Sequence, residues 1–410
     1  MIPRTVLPLI EERIALKPVV LITGPRQCGK TTVCLEIAKK HGFGYVSLAE
    51  PAHRRAANED PEYFLSAHPA PVIIDEVQYA PVLFDSIEAS VDRTRAEGRE
   101  AEGMYILTGS RAYNLMEGVT QSMAGRVSII EMSPLSLSEI HERKEIPFAV
   151  DPLLNNKRAA ECPLTPEDVF SLIVRGSYPE LHAKKELKSS TFYANYVSSY
   201  IERDVSQIIN LKDRSKFEAF LELAASLTGQ ELVYETIAKA VGVSAVTVKS
   251  WIGVLQAGGI VHLLQPYYER SATKRIVRHP KLYFCDTGLA CYLSKVFDPA
   301  TLRAGYLAGP MVETFMVNEI IKSYRNNGEE AGFYFYRDSS NNEIDLVILR
   351  NGGLTLVECK AGMRFEARDA KSFDRLKGSV YRMEESCILC LCRDAYPVKE
   401  GVFALPVSSI

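Results

Sequence analysis

Residues 21–32, LITGPRQCGKTT, decide how the N-terminal part of the chain is read. Gly24, Gly29, Lys30 and Thr31 spell G-x-x-x-x-G-K-T directly after an apolar, β-branched run and before a helical pattern, which is the context a phosphate-binding loop requires. Glycines let the backbone turn back so that successive N–H groups converge on an anion. The helix that follows aims its positive dipole end at the same point. Gly24, Pro25, Arg26, Gln27, Cys28 and Gly29 are therefore the expected cradle. Lys30 reaches the β- and γ-phosphates, Thr31 places its hydroxyl on Mg²⁺, and Thr32 stands beside it.

Working outward, residues 19–23 form a continuous apolar run of the kind buried on both faces of a parallel sheet. A short amphipathic helix is expected before it, over residues 5–16. A helix over residues 30–40 and a strand over 44–48 follow, and this alternation predicts a doubly wound α/β domain. Residues 71–78, PVIIDEVQ, supply the second nucleotide signal. Asp75 at the carboxyl end of that strand would hold Mg²⁺ through water, and Glu76 would polarise the attacking water. Residues 104–110, MYILTGS, are a further buried strand ending in small polar residues. Arg126 opens a last strand over 127–131, and Pro134 closes the domain.

At 410 residues the chain exceeds one ordinary core, so several domains are expected. A net charge of −3 excludes a uniformly basic surface, and any nucleic-acid contact must come from a local patch. No apolar run approaches a membrane span and the N-terminal residues carry charges where a signal peptide needs apolar ones, so the expected place is the cytoplasm, with no membrane partner. Nine cysteines in apolar stretches favour reduced thiols. Cys387, Cys390 and Cys392 lie in SCILCLC with no histidine near, which reads as a buried strand and not a zinc site.

GPRQCGKTT, IIDEVQ, LTGS and MAGRV followed by EMSPLSLSEI together resemble the bacterial and archaeal AAA+ superfamily ATPases that carry a C-terminal domain of unknown function. The resemblance implies ATP binding and hydrolysis with Mg²⁺ and assembly as a homo-oligomer. In such ATPases a strand between the phosphate-loop strand and the metal strand carries a polar residue that senses the γ-phosphate, here Thr108 or Ser110. Arg126 is suggested as an arginine finger acting on a neighbouring subunit's nucleotide, the alternative being a salt bridge to a local carboxylate. Cys28, inside the loop, is expected to be a reactive thiol whose oxidation or alkylation blocks ATP, the alternative being a small residue that the loop tolerates.

Residues 141–166 are charged, proline-bearing and weakly periodic, and read as a linker. Helices are expected near 167–180, ending in a Gly-Ser-Tyr-Pro turn, and over 192–210, where Arg203 belongs to a charged face; GSYPE and YIERDV are again similar to the family's C-terminal domain. Residues 217–264 have the rhythm of a winged helix, with Ser244 capping a third helix that turns Thr247, Lys249 and Ser250 outward. A basic wing with Arg270, Lys274, Arg275 and Arg278 follows. That face suits DNA phosphates, and a protein partner is the alternative.

Further on, residues 310–323 read as a helix carrying Glu313, followed by strands over 333–337, 343–349 and 354–360, a helix over 370–376 and the SCILCLC strand. This order, with Asp345, Glu358 and Lys360, resembles the restriction-endonuclease-like fold and its Asp, Glu-x-Lys motif. Glu358 and Lys360 are two apart on a strand and share one face. Asp345, Glu358 and Glu313 are candidate Mg²⁺ ligands, with Lys360 orienting water or steadying a scissile phosphate. The expected fold class is thus an α/β P-loop NTPase of the AAA+ type with a parallel sheet (1–140), a linker and helical region (141–215), a winged-helix domain (216–285) and an α+β restriction-endonuclease-like domain (286–410). The expected function couples Mg-ATP turnover to a DNA-binding, nuclease-like C-terminal region. The competing class is a regulatory ATPase whose C-terminal region binds a protein partner and cleaves nothing.

Overall fold

The computed structural model describes residues 2–109, 123–200, 214–268 and 279–410. It divides into two compact units: Pro3–Pro134 is the body of the first, and Leu135–Gln256 with Ile260–Ile410 makes the second. Among the described residues no single helix is long and apolar enough to cross a membrane.

In the first unit, β1 (Val19–Thr23) is buried along its whole length, as a strand apolar on both faces must be. With β2 (Gly44–Ser47), β3 (Val72–Asp75), β4 (Tyr105–Gly109) and β5 (Val127–Glu131) it makes a five-stranded sheet in the order β2-β3-β4-β1-β5, parallel at every pairing. Successive side chains of β1 serve opposite cores. Val19 and Leu21 join Phe64, Leu83, Phe84 and Ile87, while Val20 and Ile22 join Val33, Ile37 and Ile106. The helices on these faces are α1 (Leu7–Leu16), α2 (Lys30–His41), α3 (Pro51–Glu59), α4 (Pro61–Ala67) and α5 (Leu83–Ala96). The ends of α2 are set by Gly29 and Gly42, both at positive φ, and Lys39, Lys40 and His41 sit at its negative dipole end.

The second unit begins with α6 (Leu137–Ile140), α7 (Pro152–Glu161), α8 (Pro166–Arg175), α9 (Pro179–Ala183) and α10 (Ser189–Tyr200). The linker expected over residues 141–166 is instead packed structure. Its prolines start helices: Asp151 caps α7 ahead of Pro152, and Thr165 and Asp168 form a capping box around Pro166. Its charges are used inside, with Arg158 buried and donating to the carbonyls of Ser409 (2.7 Å) and Lys144 (3.0 Å).

Next come α11 (Arg214–Ser226), β6 (Gln230–Glu231), α12 (Tyr234–Val241) and α13 (Ala245–Ala257). The last two helices meet at 105°, with Gly242 at positive φ ending α12 and Ser244 Oγ accepting from the Thr247 amide at 3.0 Å. Trp251 of α13 packs on Phe217 and Phe220 of α11, whereas Val246, Lys249 and Ser250 are exposed. An antiparallel pair follows, β7 (Val261–Pro266) and β8 (Lys281–Phe284); the basic wing residues expected between them, like Arg203, lie outside the described residues.

After α14 (Thr287–Leu293), α15 (Pro299–Ala304) and the buried α16 (Ala308–Asn326), the chain runs antiparallel through β9 (Gly332–Arg337), β10 (Glu343–Arg350) and β11 (Gly353–Cys359). A 3₁₀ turn over Ala367–Leu376 and the short β12 (Arg382–Met383) lead to β13 (Ser386–Cys390), parallel to β11; β14 (Tyr396–Lys399) and β15 (Val402–Pro406) complete the edge. SCILCLC therefore contains a buried strand, with Cys387 and Leu389 in one core and Ile388 and Cys390 in another. β7 joins β9 in parallel, so the strands of the second unit from Gln230 onward make one sheet in the order β14-β15-β13-β11-β10-β9-β7-β8-β6.

Candidate functional site

The loop between β1 and α2 has a shape that side chains would forbid. Gly24 has φ +151°, and a Cβ there would lie 2.1 Å from the Met132 carbonyl oxygen. Arg4 fixes the loop from the protein side, donating to the carbonyls of Cys28 and Ser133 at 2.6 Å each. The Lys30 ammonium is buried and folded back on the loop carbonyls of Gly24 (2.9 Å) and Pro25 (2.8 Å). Gln27 is exposed at φ 60°, and Arg26 is half-buried beside Pro25. Cys28 departs from the expectation of a reactive thiol. Its side chain is fully buried and belongs to the apolar cluster of Val6, Ile10, Val33 and Met132, out of reach of solvent reagents.

Opposite the loop, Asp75 is buried at the end of β3 and gathers three hydroxyls. Thr31 Oγ1 donates to its Oδ2 at 3.1 Å, Tyr45 donates to the same oxygen at 2.8 Å, and Thr108 donates to Oδ1. Thr108 stands on β4, between β1 and β3, and its hydroxyl also accepts the Glu76 amide at 3.3 Å. Glu76 follows at φ 60° with its carboxylate held by the Gln78 amide. Burial, and then the hydrogen bond to Asp75, raise the Tyr45 phenol well above its ordinary range. Tyr45 and Arg4 carry no motif of their own and emerge only from the fold, while the clamp on Asp75 is a role of Thr108 that the LTGS motif does not announce. Ser110 lies outside the described residues.

Arg126 is engaged within its own unit, forked onto Asp92 at 2.9 and 2.8 Å and bonded to Glu88 at 3.0 Å, both on α5. This is the local pairing set against the arginine-finger reading above.

Residues 16–141 match the profile of the AAA domain family. Two further segments, 166–300 and 308–410, match two domain families of unknown function, DUF8612 and DUF4143. Uncharacterized proteins of Mycobacterium bovis and Mycobacterium tuberculosis are each 27% identical over 399 residues, covering 96% of this chain and 81% of theirs. Among solved structures, a Walker-type ATPase of Pyrococcus abyssi is similar at 13% identity over 70% of this chain and 94% of its own, with a TM-score of 0.46. The Holliday junction branch migration motor RuvB of Thermotoga maritima is similar at 16% identity over 62% and 86%, with a TM-score of 0.31.

Beyond the first unit, the second unit gathers charges at the centre of its sheet. Glu313 on α16, Glu343 and Asp345 on β10 and Glu358 on β11 converge as the sequence expects for all but Glu343. Sequence reasoning missed Lys281 on β8. Its ammonium, 3% exposed, lies 2.8 Å from Glu313 Oε1 and 3.6 Å from Asp345 Oδ1, and is bonded to Glu343 too. Tyr283 donates to Glu313 Oε1 at 2.5 Å, and the Cys359 amide donates to Asp345 Oδ2 at 2.8 Å. Lys360 is paired with Glu358 Oε1 at 2.5 Å, while Glu358 Oε2 is buried without a hydrogen-bond partner among the described residues.

Burial alone would lower the Lys281 pKa, but Tyr283, Glu313, Asp345 and Glu343 reverse this and hold the ammonium charged. Burial and then the Asp345 charge push Glu358 up to about 8 and Glu313 up to about 7, against the pull of their lysines. The Mg²⁺ expected on Glu313, Asp345 and Glu358 does not fit this arrangement. Among the described residues no three His, Cys, Asp or Glu side chains are grouped to hold a metal ion, and a lysine lies among the carboxylates.

Proposed function

We propose that the chain is an ATP-hydrolysing switch in which turnover in the first unit is coupled to DNA binding by the second. The observation that carries the ATPase half is the convergence of Thr31, Thr108 and Tyr45 on the buried Asp75, directly across from the loop lysine. Thr31 and Asp75 present a hydroxyl and a carboxylate 3.1 Å apart, an oxygen pair that suits Mg²⁺. Mg²⁺ held there would neutralise charge on the β- and γ-phosphates. Lys30 exchanges the Gly24 and Pro25 carbonyls for phosphate oxygens, while the loop amides and the N-terminus of α2 bind the rest. Glu76 orients the attacking water and takes up its proton. Thr108, bonded to the Asp75 carboxylate and the Glu76 amide, keeps metal ligand and base in register and is placed to report on the γ-phosphate. Self-association, with Arg126 serving a neighbour's nucleotide, requires that Arg126 leave Asp92 and Glu88.

The DNA half rests on α12 and α13. Their 105° crossing, the Ser244 cap and an outward face with Lys249 and Ser250 support a helix-turn-helix whose second helix enters a major groove. ATP hydrolysis measured with and without single-stranded, duplex and branched DNA tests the coupling. Stimulation by DNA, weakened by Lys249→Glu and increased salt, is expected. A rate indifferent to every DNA would discard this reading in favour of an ATPase that binds a protein partner.

A further inference from the structure

The second unit carries a restriction-endonuclease-like set of residues, Asp345, Glu358 and Lys360, yet adds one charge that such a site does not need. Lys281 and Tyr283 are two apart on β8 and so share a face, and both reach Glu313 Oε1, at 2.8 and 2.5 Å. The same ammonium bonds Glu343 and lies 3.6 Å from Asp345 Oδ1. The other Asp345 oxygen is taken by the Cys359 amide. The Lys281 ammonium lies over the Phe335 ring, 5.7 Å from its centroid, and the side chain is 3% exposed.

We propose that Lys281 is a resident cation that closes this carboxylate cluster to divalent metal, so that the second unit does not cleave nucleic acid by metal-dependent chemistry. Mg²⁺ binds carboxylate oxygens at about 2.0–2.1 Å and demands near-octahedral geometry. An ion that close to Glu313 or Asp345 would sit against an ammonium already held by the same oxygens, and like charges in a buried site repel strongly. Lys281 cannot yield the place cheaply, because withdrawing it leaves Glu313 and Asp345 crowded in a largely enclosed site, while Arg337 is paired with the more exposed Glu343 of the cluster. β8 belongs to the strand pair that follows α13, so the neutralising charge comes from outside the α16–β11 segment in which the nuclease-like residues lie. The proposal is independent of both the ATPase and the DNA-binding readings.

The test is Mn²⁺ titration of the full-length, nucleotide-free chain, with free ion read by electron paramagnetic resonance, on wild type, Asp345→Asn, Lys281→Met and the double variant; thermal melting checks each fold. Wild type and Asp345→Asn should bind the same number of ions. Lys281→Met should bind one more per chain, and Asp345→Asn should remove that extra ion in the double variant. A wild-type ion lost in Asp345→Asn overturns the proposal, as does a folded Lys281→Met that binds no more Mn²⁺ than wild type. Should Lys281→Met fail to fold, the comparison of wild type with Asp345→Asn still decides between a closed and an open cluster.

Discussion

Glu76 is held at φ 60°, a left-handed conformation that costs a residue with a side chain roughly 1–3 kcal/mol. The Thr108 and Gln78 hydrogen bonds keep it there, which ties the strain to the position of its carboxylate. Glu76→Gln preserves the size and loses the base, so ATP should stay bound while single-turnover hydrolysis falls by about 10²–10⁴-fold. Turnover at the wild-type rate would remove Glu76 from the mechanism. Arg4 acts through another group, since it touches the back of the loop by the Cys28 and Ser133 carbonyls. Loss of those charge-assisted bonds in Arg4→Ala should weaken binding of a fluorescent ATP analogue about tenfold, a difference of about 1.4 kcal/mol, with Glu76 chemistry intact. Equal affinity in the two proteins would mean that the loop holds its shape without this clamp.

At the scale of elements, the buried Asp286 caps α14 and at the same time ties it to the turn between α8 and α9. It accepts from the Leu289 amide (2.8 Å), the Ser177 amide (2.7 Å), Ser177 Oγ (2.8 Å) and the Tyr193 hydroxyl (2.6 Å). Gly176 leaves room for this: a Cβ there would fall 1.8 Å from the Tyr193 oxygen. Asp286→Ala strands several buried donors and should cost about 3 kcal/mol, read as a lower urea midpoint at unchanged slope. A midpoint within error of wild type would show that water replaces the carboxylate. The GSYPE turn was legible in the sequence, but its partner was not, because Asp286 is 109 residues from Ser177 and nothing local announces the pairing. The same distinction separates the two charged sites. Gly24, Lys30, Thr31, Asp75 and Glu76 were readable because each motif sets its own strand end or helix start, whereas Lys281 matters only through strands and a helix that follow it in the chain.

At the scale of the molecule, the sequence suggested four segments and the structure contains two compact units. Composition shifts mark changes of element, but a unit is defined by what shares a core, and one apolar cluster runs from Leu137 through Trp251 and Phe284 to Leu405 and Ile410. Residues 141–166 looked like a linker because capping residues and prolines have a loop-like composition even where they start packed helices. Each unit has apolar clusters of its own, so heating should give two calorimetric transitions. A non-hydrolysable ATP analogue with Mg²⁺, at about a hundred times its dissociation constant, adds roughly 2.7 kcal/mol to the unit that binds it. That should raise one transition by on the order of 10 °C and leave the other in place, and Lys30→Ala should abolish the shift. If both transitions move together with nucleotide, the unfolding of the second unit is linked to the ATP site, and by reciprocity a folded second unit tightens ATP by the same factor.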